Sequence, residues 1–198
     1  MKYLKLIFAC IIIQQLSGCA VALFAGAAST TAVVASDRRD VDTQLTDLSI
    51  EREINKWIEE SPSLAKQTNI KVVSHNKNVL LIGQAPSGML RDKVANLAST
   101  HGDLHDLYNE IRISKTTTPA QRTKDSWLTT KIKTRMLADK ELDGQQVKIM
   151  TENGEVFLMG MLTAYEKKIA ITIARNMDGV NRVIEIFEPY TKTNNDAQ

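Results

Sequence analysis

The strongest constraint on the fold is an internal repeat that begins at about residue 45. Apolar positions of the first copy return in the second at an offset that drifts only from 78 to 76 residues. The matching positions are Ile50, Ile54, Ile58 and Leu64 with Leu128, Ile132, Met136 and Leu142; Ile70, Val72 and Ser74 with Val147, Ile149 and Thr151; Val79, Leu81 and Gly83 with Val156, Leu158 and Gly160; and Leu104, Leu107 and Ile111 with Val180, Val183 and Phe187. An offset that stays so regular over a whole unit indicates one small domain present twice.

Each copy carries the same order of helix and strand patterns. It opens with apolar residues at i, i+4 and i+8, which places them on one face of a helix. Two short alternating strands follow, and in the second copy Asn153-Gly154 lies between them, a pair that favours the positive φ angles of a tight hairpin turn. A second helix at about 87–99 and 164–175, and a third strand at about 108–113 and 182–187, complete the units. The sequence therefore predicts an α+β fold of two tandem α-β-β-α-β domains, each a three-stranded mixed sheet covered by two helices.

The N-terminus has the pattern of a bacterial lipoprotein signal. A basic start leads into the apolar run 4–13, which would cover about 15 Å as a helix and is too short to span a bilayer. The run is followed by Leu16-Ser17-Gly18-Cys19, which resembles the lipobox. In that motif the cysteine thiol takes a thioether-linked diacylglycerol, and several acyl chains make the anchor effectively permanent. An ordinary signal peptide cleaved near Ala25 or Ala28 is the alternative.

Processing at Cys19 would define the mature chain. Cys10 would leave with the signal peptide, so no cysteine would remain for a disulfide. The mature chain would carry 23 basic and 23 acidic residues, a balance that does not favour nucleic-acid binding. Ala20 follows the cysteine where aspartate would signal retention in the inner membrane, which favours the outer membrane. We expect no cofactor other than the covalent lipid on Cys19.

These patterns predict the boundaries along the chain. The segments are a signal peptide at 1–18, the lipidated cysteine and a flexible tether at 19–45, the first domain at 46–115, a linker at 116–121, the second domain at 122–192 and a disordered tail at 193–198. A second apolar helix within 20–36 is an alternative to a flexible tether there.

The repeated unit resembles the BON domain. The strand glycines Gly83 and Gly160 and the closing run Gly179-Val180-Asn181-Arg182-Val183 carry the likeness, although the first copy departs from it at 103–107. Two such units behind a lipobox resemble the dual BON-domain outer-membrane lipoproteins of Gram-negative bacteria, and the run 151–160 is especially similar to them. The resemblance implies a periplasm-facing, non-enzymatic role in envelope integrity, with binding to anionic phospholipid through the second domain.

No pattern of catalytic residues stands out. We find no glycine-rich phosphate loop, nucleophile elbow or plausible triad, and we expect neither an enzyme nor a small-molecule substrate. His101 and His105 have the spacing of two metal ligands on a helix, but Gly102 lies between them where the helix should end. We interpret them as solvated loop histidines and expect no metal. Gly83 and Gly160 are expected to permit a bulge or close backbone packing.

The first helices of the two copies differ sharply in charge. Segment 46–60 has a net charge of −3, whereas segment 122–136 has +4. On a helical wheel the second copy has a further stripe, which points away from its core residues. It consists of Trp127, Thr130, Thr134 and Leu137, flanked by Lys131 and Lys133. The first copy has Ser49, Arg52, Lys56 and Glu59 on the corresponding side, a plain solvated face.

A tryptophan and a leucine rimmed by lysines are typical of a helix that lies in a membrane interface. We therefore predict that this stripe binds an anionic phospholipid membrane. Two alternatives remain open. Trp127 and Leu137 could pack against the first domain, or they could contact an envelope protein, such as an outer-membrane assembly machine or a regulator of a cell-wall enzyme.

Overall fold

The computed structural model describes residues 37–192. The predicted signal peptide, the lipid attachment at Cys19, the tether up to residue 36 and the tail at 193–198 lie outside the described residues.

The described chain forms two domains with the same topology. The first contains α1 (Val41–Glu60), α2 (Pro62–Gln67), β1 (Asn69–His75), β2 (Asn78–Ala85), α3 (Gly88–Ala98) and β3 (Leu107–Ile113). The second contains α4 (Pro119–Leu137), a 3-10 turn (Gly144–Gln146), β4 (Lys148–Glu152), β5 (Glu155–Leu162), α5 (Ala164–Arg175) and β6 (Arg182–Pro189). In each sheet the central strand pairs antiparallel with the strand before it and parallel with the strand after the helix. The predicted α+β fold of two α-β-β-α-β domains is confirmed, with the short α2 as an addition to the first copy.

Two helices begin earlier than the apolar patterns indicate, because capping residues precede them. α1 begins at Val41, within the stretch expected to be tether, and the Asp40 carboxylate accepts a hydrogen bond from the Thr43 amide at 2.6 Å. α4 begins at Pro119, within the expected linker, behind the N-cap residue Thr118. A side-chain acceptor satisfies an amide that has no partner in the helix, and proline suits the first helical position. Residues 38–45 and 119–121 thus belong to the folded domains.

Equivalent residues form a separate core in each domain. Ile50 and Ile54 are fully buried in the first domain, and Ile132 and Met136 are fully buried in the second. These are positions that the repeat predicted to face inward. Each helix pair therefore covers one face of its own sheet, as expected for two duplicated units.

The strand glycines occupy the same place in the central strands β2 and β5. A Cβ atom on Gly83 would lie 1.9 Å from the carbonyl oxygen of Asn69, and one on Gly160 would lie 2.2 Å from that of Gln146. Their φ angles, +123° and +150°, are ones that other residues rarely adopt. The close backbone approach predicted at both positions is confirmed.

A buried aspartate on the first helix of each domain caps the hairpin turn. Asp47 accepts hydrogen bonds from the backbone amides of Asn76 and Lys77, at 2.8 Å each. Asp125, 78 residues later in the chain, accepts both amides of the Asn153-Gly154 turn at 2.8 and 2.9 Å. Because these carboxylates are buried and hydrogen-bonded, they serve the fold and are not part of the exposed charge of either helix.

The two sheets pack against each other through the faces that carry no helix. Leu80 and Ile82 of β2 meet Phe157 and Met159 of β5, and all four are at most 1% exposed. Side chains alternate along a strand, so their neighbours in sequence point to the opposite face and fill each domain's own core. The result is a stack of four layers, with helices outside and two sheets inside.

A buried carboxylate links the two domains beside this apolar interface. Glu152 accepts hydrogen bonds from Lys71 Nζ at 2.7 Å, Gln84 Nε2 at 2.7 Å and Thr117 Oγ1 at 2.8 Å. Burial alone would raise the pKa of Glu152, but these donors outweigh it and the pKa is lowered. Glu152 of β4 thus connects the second domain both to the first domain and to the linker.

Candidate membrane-binding face

Helix α4 buries one side and presents another to solvent. Its buried residues are at most 4% exposed, whereas Trp127 is 60% exposed and Leu137 is 51% exposed. Thr130 and Thr134 are exposed on the same side. No helix within residues 37–192 is both long and apolar enough to cross a bilayer. The predicted stripe therefore lies on the outer surface of a helix whose opposite side anchors it in the fold.

Packing of Trp127 and Leu137 against the first domain does not occur among the described residues, so this alternative is wrong. The domains meet through the helix-free faces of their sheets, and α4 lies on the outside of the stack. Both side chains keep more than half of their surface exposed. Trp127 adjoins a continuous apolar surface that includes Met177 and is bordered by charged residues, and such surfaces mark sites of interaction with a membrane or a partner.

Three cationic side chains surround the tryptophan. The ammonium group of Lys131 lies 4.8 Å from the centre of the Trp127 ring, a cation–π contact. Lys124 and Arg135 are exposed, and their charged groups form no ion pair or hydrogen bond with another residue in the described range. This side of α4 therefore combines an apolar surface with positive charge that the protein itself does not neutralise.

Lys133, which the sequence placed beside this stripe, has a structural role instead. Its ammonium group donates hydrogen bonds to the carbonyl oxygens of Gly144 and Val147, at 2.8 Å each. Burial lowers the pKa of Lys133. On the helical wheel it lies nearer the core residue Met136 than Trp127, so its aliphatic stem runs along the buried surface. The prediction that Lys133 faces lipid is corrected: it ties α4 to the 3-10 turn.

Trp127 separates two open cavities. One, of about 480 Å³, runs along the stripe between α4 and Met177, with Thr134 and Arg135 in its wall. The other, of about 320 Å³, has polar groups from Lys124 and Asp178 in its wall. A tryptophan with an apolar groove on one side and polar groups on the other fits the boundary between acyl chains and headgroups.

The histidine pair does not form a site. His105 is exposed, but His101 is buried, and its ring centre lies 5.5 Å from that of Trp57. Its Nδ1 accepts a hydrogen bond from the Asp103 amide at 3.3 Å, and Nε2 lies 3.4 Å from the Glu53 carboxylate. The expectation of two solvated histidines is therefore wrong for His101, which packs at the end of α3 against α1.

Sequence reasoning missed two arginines that precede α1. The Arg38 guanidinium binds the Glu166 carboxylate in a bidentate pair at 2.7 and 2.9 Å, donates to the Met161 carbonyl at 2.6 Å and lies 4.2 Å from the centre of the Tyr190 ring. Arg39 binds Asp47 of α1 at 2.6 Å. Arg38 therefore binds the second domain, and its neighbour Arg39 binds the first.

The Arg38 pair is almost completely buried. The side chains of Arg38 and Glu166 are 9% and 2% exposed. Burial opposes ionisation of the carboxyl group, but hydrogen bonds from Arg38 and Thr163 outweigh it and lower the pKa of Glu166 to about 2. The signal in the sequence was the Arg38-Arg39 pair itself, at the start of a charged run that follows the uncharged stretch 20–36.

Comparison with known proteins agrees with this structure. The family model of the BON domain matches residues 46–115 and 124–186. The chain is 37% identical to the outer membrane lipoprotein DolP of Haemophilus influenzae, over 87% of this chain and 89% of that protein. It is 39% identical to a 21 kDa hemolysin of Actinobacillus pleuropneumoniae, over 76% of this chain and 78% of that one.

Among solved structures, a structural protein of the type III secretion system of Chlamydia trachomatis, CdsD, aligns with 73% of this chain and 63% of its own. That alignment has 15% identity and a TM-score of 0.30, which is too low to support an argument. The family match and the two relatives carry the assignment. The chain belongs to the BON-domain family, as an outer-membrane lipoprotein with two copies of the domain.

Proposed function

We propose that this protein is held in the outer membrane by lipid on Cys19, faces the periplasm, and binds anionic phospholipid through α4 in support of envelope integrity. The observation that carries the proposal is the exposed Trp127 with Lys131 stacked on its ring. Aromatic residues of this kind sit at the level of lipid headgroups, and neighbouring cations select an anionic surface.

The expected energies suit a weak contact that the anchor strengthens. Lys124, Lys131 and Arg135 would contribute about 1 kcal/mol each near an anionic surface. Partial insertion of Trp127 adds less than the roughly 1.5–3 kcal/mol of full burial. A covalent lipid raises the effective concentration of α4 at the bilayer, so modest binding is enough to orient the protein there.

A binding role, without catalysis, is part of the proposal. The buried carboxylates of the described residues are engaged in the fold: Asp47 and Asp125 cap hairpins, Glu152 joins the domains, and Glu166 binds Arg38. A general acid or base needs a carboxyl group that can reach substrate. Asp125 lines the cavity of about 320 Å³ beside Trp127, but both of its oxygens accept hydrogen bonds from the Asn153-Gly154 turn.

Binding of unlipidated chain, from residue 37 on, to vesicles of phosphatidylglycerol and of neutral lipid tests the proposal. We expect co-sedimentation with the anionic vesicles that falls as salt rises, because exposed charges are screened. Trp127→Ala should weaken binding with little effect on the melting temperature. Lys131→Glu combined with Arg135→Glu should abolish the preference for anionic lipid.

The matched control is Ile132→Ala on the buried side of the same helix, which should cost about 2–5 kcal/mol of stability. Should Trp127→Ala lower the melting temperature as much as Ile132→Ala and leave vesicle binding unchanged, the tryptophan would be a packing residue. Absence of any binding to pure lipid would favour the protein-partner alternative for this face.

A further inference from the structure

The apolar groove beside Trp127 has walls of small and flexible side chains. It has a volume of about 480 Å³ and lies between α4 and the loop that follows α5. Thr134 and Ala138 form part of the wall on the α4 side, and Met177 lies in the loop wall. Met177 also packs against the core of the second domain, which holds it in place, while its unbranched chain can adapt to a flexible ligand. Sites for small molecules have volumes of about 300–1,000 Å³, so the groove is large enough to hold one.

The corresponding part of the first domain is covered by long charged side chains. At the repeat offset of 78, Thr134 corresponds to Lys56. Ala138 corresponds to Glu60, the last residue of α1. Lys56 Nζ lies 3.8 Å from the Glu60 carboxylate, so the two side chains extend along the helix as an ion pair. The second domain has small residues in the place of this pair, which leaves its helix surface open.

Two stacked rings fill the rest of that place in the first domain. His101 corresponds to Met177 at the offset of 76. Its buried ring lies 5.5 Å, centre to centre, from that of Trp57, which corresponds to Arg135. The Glu53 carboxylate lies 3.4 Å from His101 Nε2. The same backbone fold thus carries rings and an ion pair at this surface in one copy and a groove in the other, so the groove is due to particular side chains.

The charges around the groove suit an anionic amphiphile. Lys131 and Arg135 contribute to its wall, and the first domain has Glu53 in place of Lys131. The Asp178 carboxylate lines the other cavity, on the opposite side of Trp127. A ligand that places an apolar chain in the groove and a negative group at its rim would therefore meet two cations.

We infer that the groove between α4 and Met177 binds an acyl chain of one anionic phospholipid molecule, with the lipid phosphate against Lys131 and Arg135. The inference rests on the proposed function and deepens it, because it assigns the lipid a site within the same face. A helix that only lies in the interface needs an assembled membrane surface. A groove with complementary charge can also bind a single lipid molecule in solution, and this difference can be measured.

Titration with monomeric lipid tests the inference. The unlipidated chain from residue 37 on, which contains both folded domains, is titrated with dihexanoylphosphatidylglycerol below its critical micelle concentration and followed by amide NMR. We expect saturable binding of one lipid per chain, with shifted signals around Thr134 and Met177 and none around Trp57. Glycerophosphoglycerol, the same headgroup without acyl chains, should bind at least about tenfold more weakly, because even two buried methylene groups contribute that much.

Two matched tryptophan substitutions locate the site. Thr134→Trp fills the groove, and since Thr134 is exposed the added bulk does not enter the core. We expect it to weaken binding of the monomeric lipid by about tenfold or more. Ser126→Trp puts the same side chain at an exposed position of α4 outside the groove, and its affinity for the monomeric lipid should remain that of the wild type.

The outcomes separate the inference from the proposed function. Vesicle binding without binding of the monomeric lipid overturns the inference and leaves the proposed function standing. Equal affinity for glycerophosphoglycerol, or equal affinities of Thr134→Trp and Ser126→Trp for the lipid, also overturns it, because the acyl chain would then not lie in the groove. Failure to bind either vesicles or monomeric lipid rejects both.

Discussion

Replacing Arg38 by alanine tests how firmly the residues before α1 are held by the second domain. The change removes a bidentate partner from a carboxylate whose side chain is 2% exposed. Breaking one side of a buried pair costs about 3–5 kcal/mol, because the remaining charge is left without its partner. The lowered pKa sets an upper limit of similar size: a change from 4.5 to about 2 at Glu166 corresponds to about 3 kcal/mol, and hydrogen bonds from Thr163 supply part of it. Thr163 still donates hydrogen bonds to the Glu166 carboxylate, and Lys192 Nζ lies 3.6 Å from it. We therefore expect Arg38→Ala to lower the free energy of unfolding by the lower end of this range, about 3 kcal/mol, at pH 7.

The pH dependence gives an independent check. Because the folded-state pKa of Glu166 is lowered, its contribution is fully present above pH 4.5 and is lost as pH falls toward about 2. Urea unfolding of both proteins from pH 7 down to pH 3 should show the wild type losing this contribution, whereas Arg38→Ala should show a smaller loss, because only the hydrogen bonds from Thr163 and the ion pair with Lys192 remain. Other carboxylates with lowered pKa, such as Asp47 and Glu152, act equally in both proteins, so the difference isolates Glu166.

The matched control is Arg175→Ala, an exposed arginine in the last turn of α5. Surface substitutions of this kind stay within about 0.5 kcal/mol. If Arg38→Ala matched Arg175→Ala at pH 7, or if its stability followed the wild-type pH curve in parallel, the ion pair would not hold this segment and the reasoning would be refuted.

Two further substitutions test the structure at single positions. Gly160→Ala should destabilise by several kcal/mol, since a positive φ alone costs about 1–3 kcal/mol and the new Cβ would lie 2.2 Å from the Gln146 carbonyl oxygen. Gly102→Ala, with no atom within 4 Å of its Cβ position, is the control, and equal melting temperatures would contradict the strand geometry. Lys133→Met should lower the melting temperature but keep the preference for anionic vesicles, whereas Lys131→Met should weaken that preference and leave the melting temperature unchanged. The opposite pattern would restore Lys133 to the lipid-binding face.

Local patterns predicted the domains well because each element carries its own signal. The 76–78 residue repeat, the i, i+4, i+8 helices and the Asn153-Gly154 turn are all short-range features. The strand glycines were also visible, since only glycine tolerates the approach of a neighbouring carbonyl at those φ angles. The N-cap residue Asp40 is also a local feature that marks the start of α1. The apolar pattern alone places the start of the first domain at 46.

The sequence also contains a sign of the packing between the domains. It lies in two strands whose residues do not alternate between apolar and polar. The run Val79–Ile82 in β2 and its counterpart in β5 are apolar at every position, which is typical of a strand buried on both faces. One face belongs to the domain's own core and the other to the neighbouring sheet. A sequence with this pattern indicates that something covers the second face, but it does not say what.

Part of the candidate site could also be predicted from the sequence, because it depends on the geometry of a single helix. A helical wheel separates Trp127 from the core residues, because the angle between positions is set by the helix itself. Whether this side of the helix remains exposed depends on how the domains pack, and they pack through their sheets.

The sequence by itself determined the two units, the helix faces and the lipoprotein pattern at the N-terminus, because these depend on neighbours within a few turns of chain or on a fixed repeat. Only the tertiary structure decided which charges are free. Lys133 lies on the same helix as Lys131, yet carbonyl groups 11 and 14 residues away bind the first and leave the second stacked on Trp127. Likewise Arg38 meets Glu166 across 128 residues. Contacts between distant segments arise from packing, and no local pattern of residues encodes them.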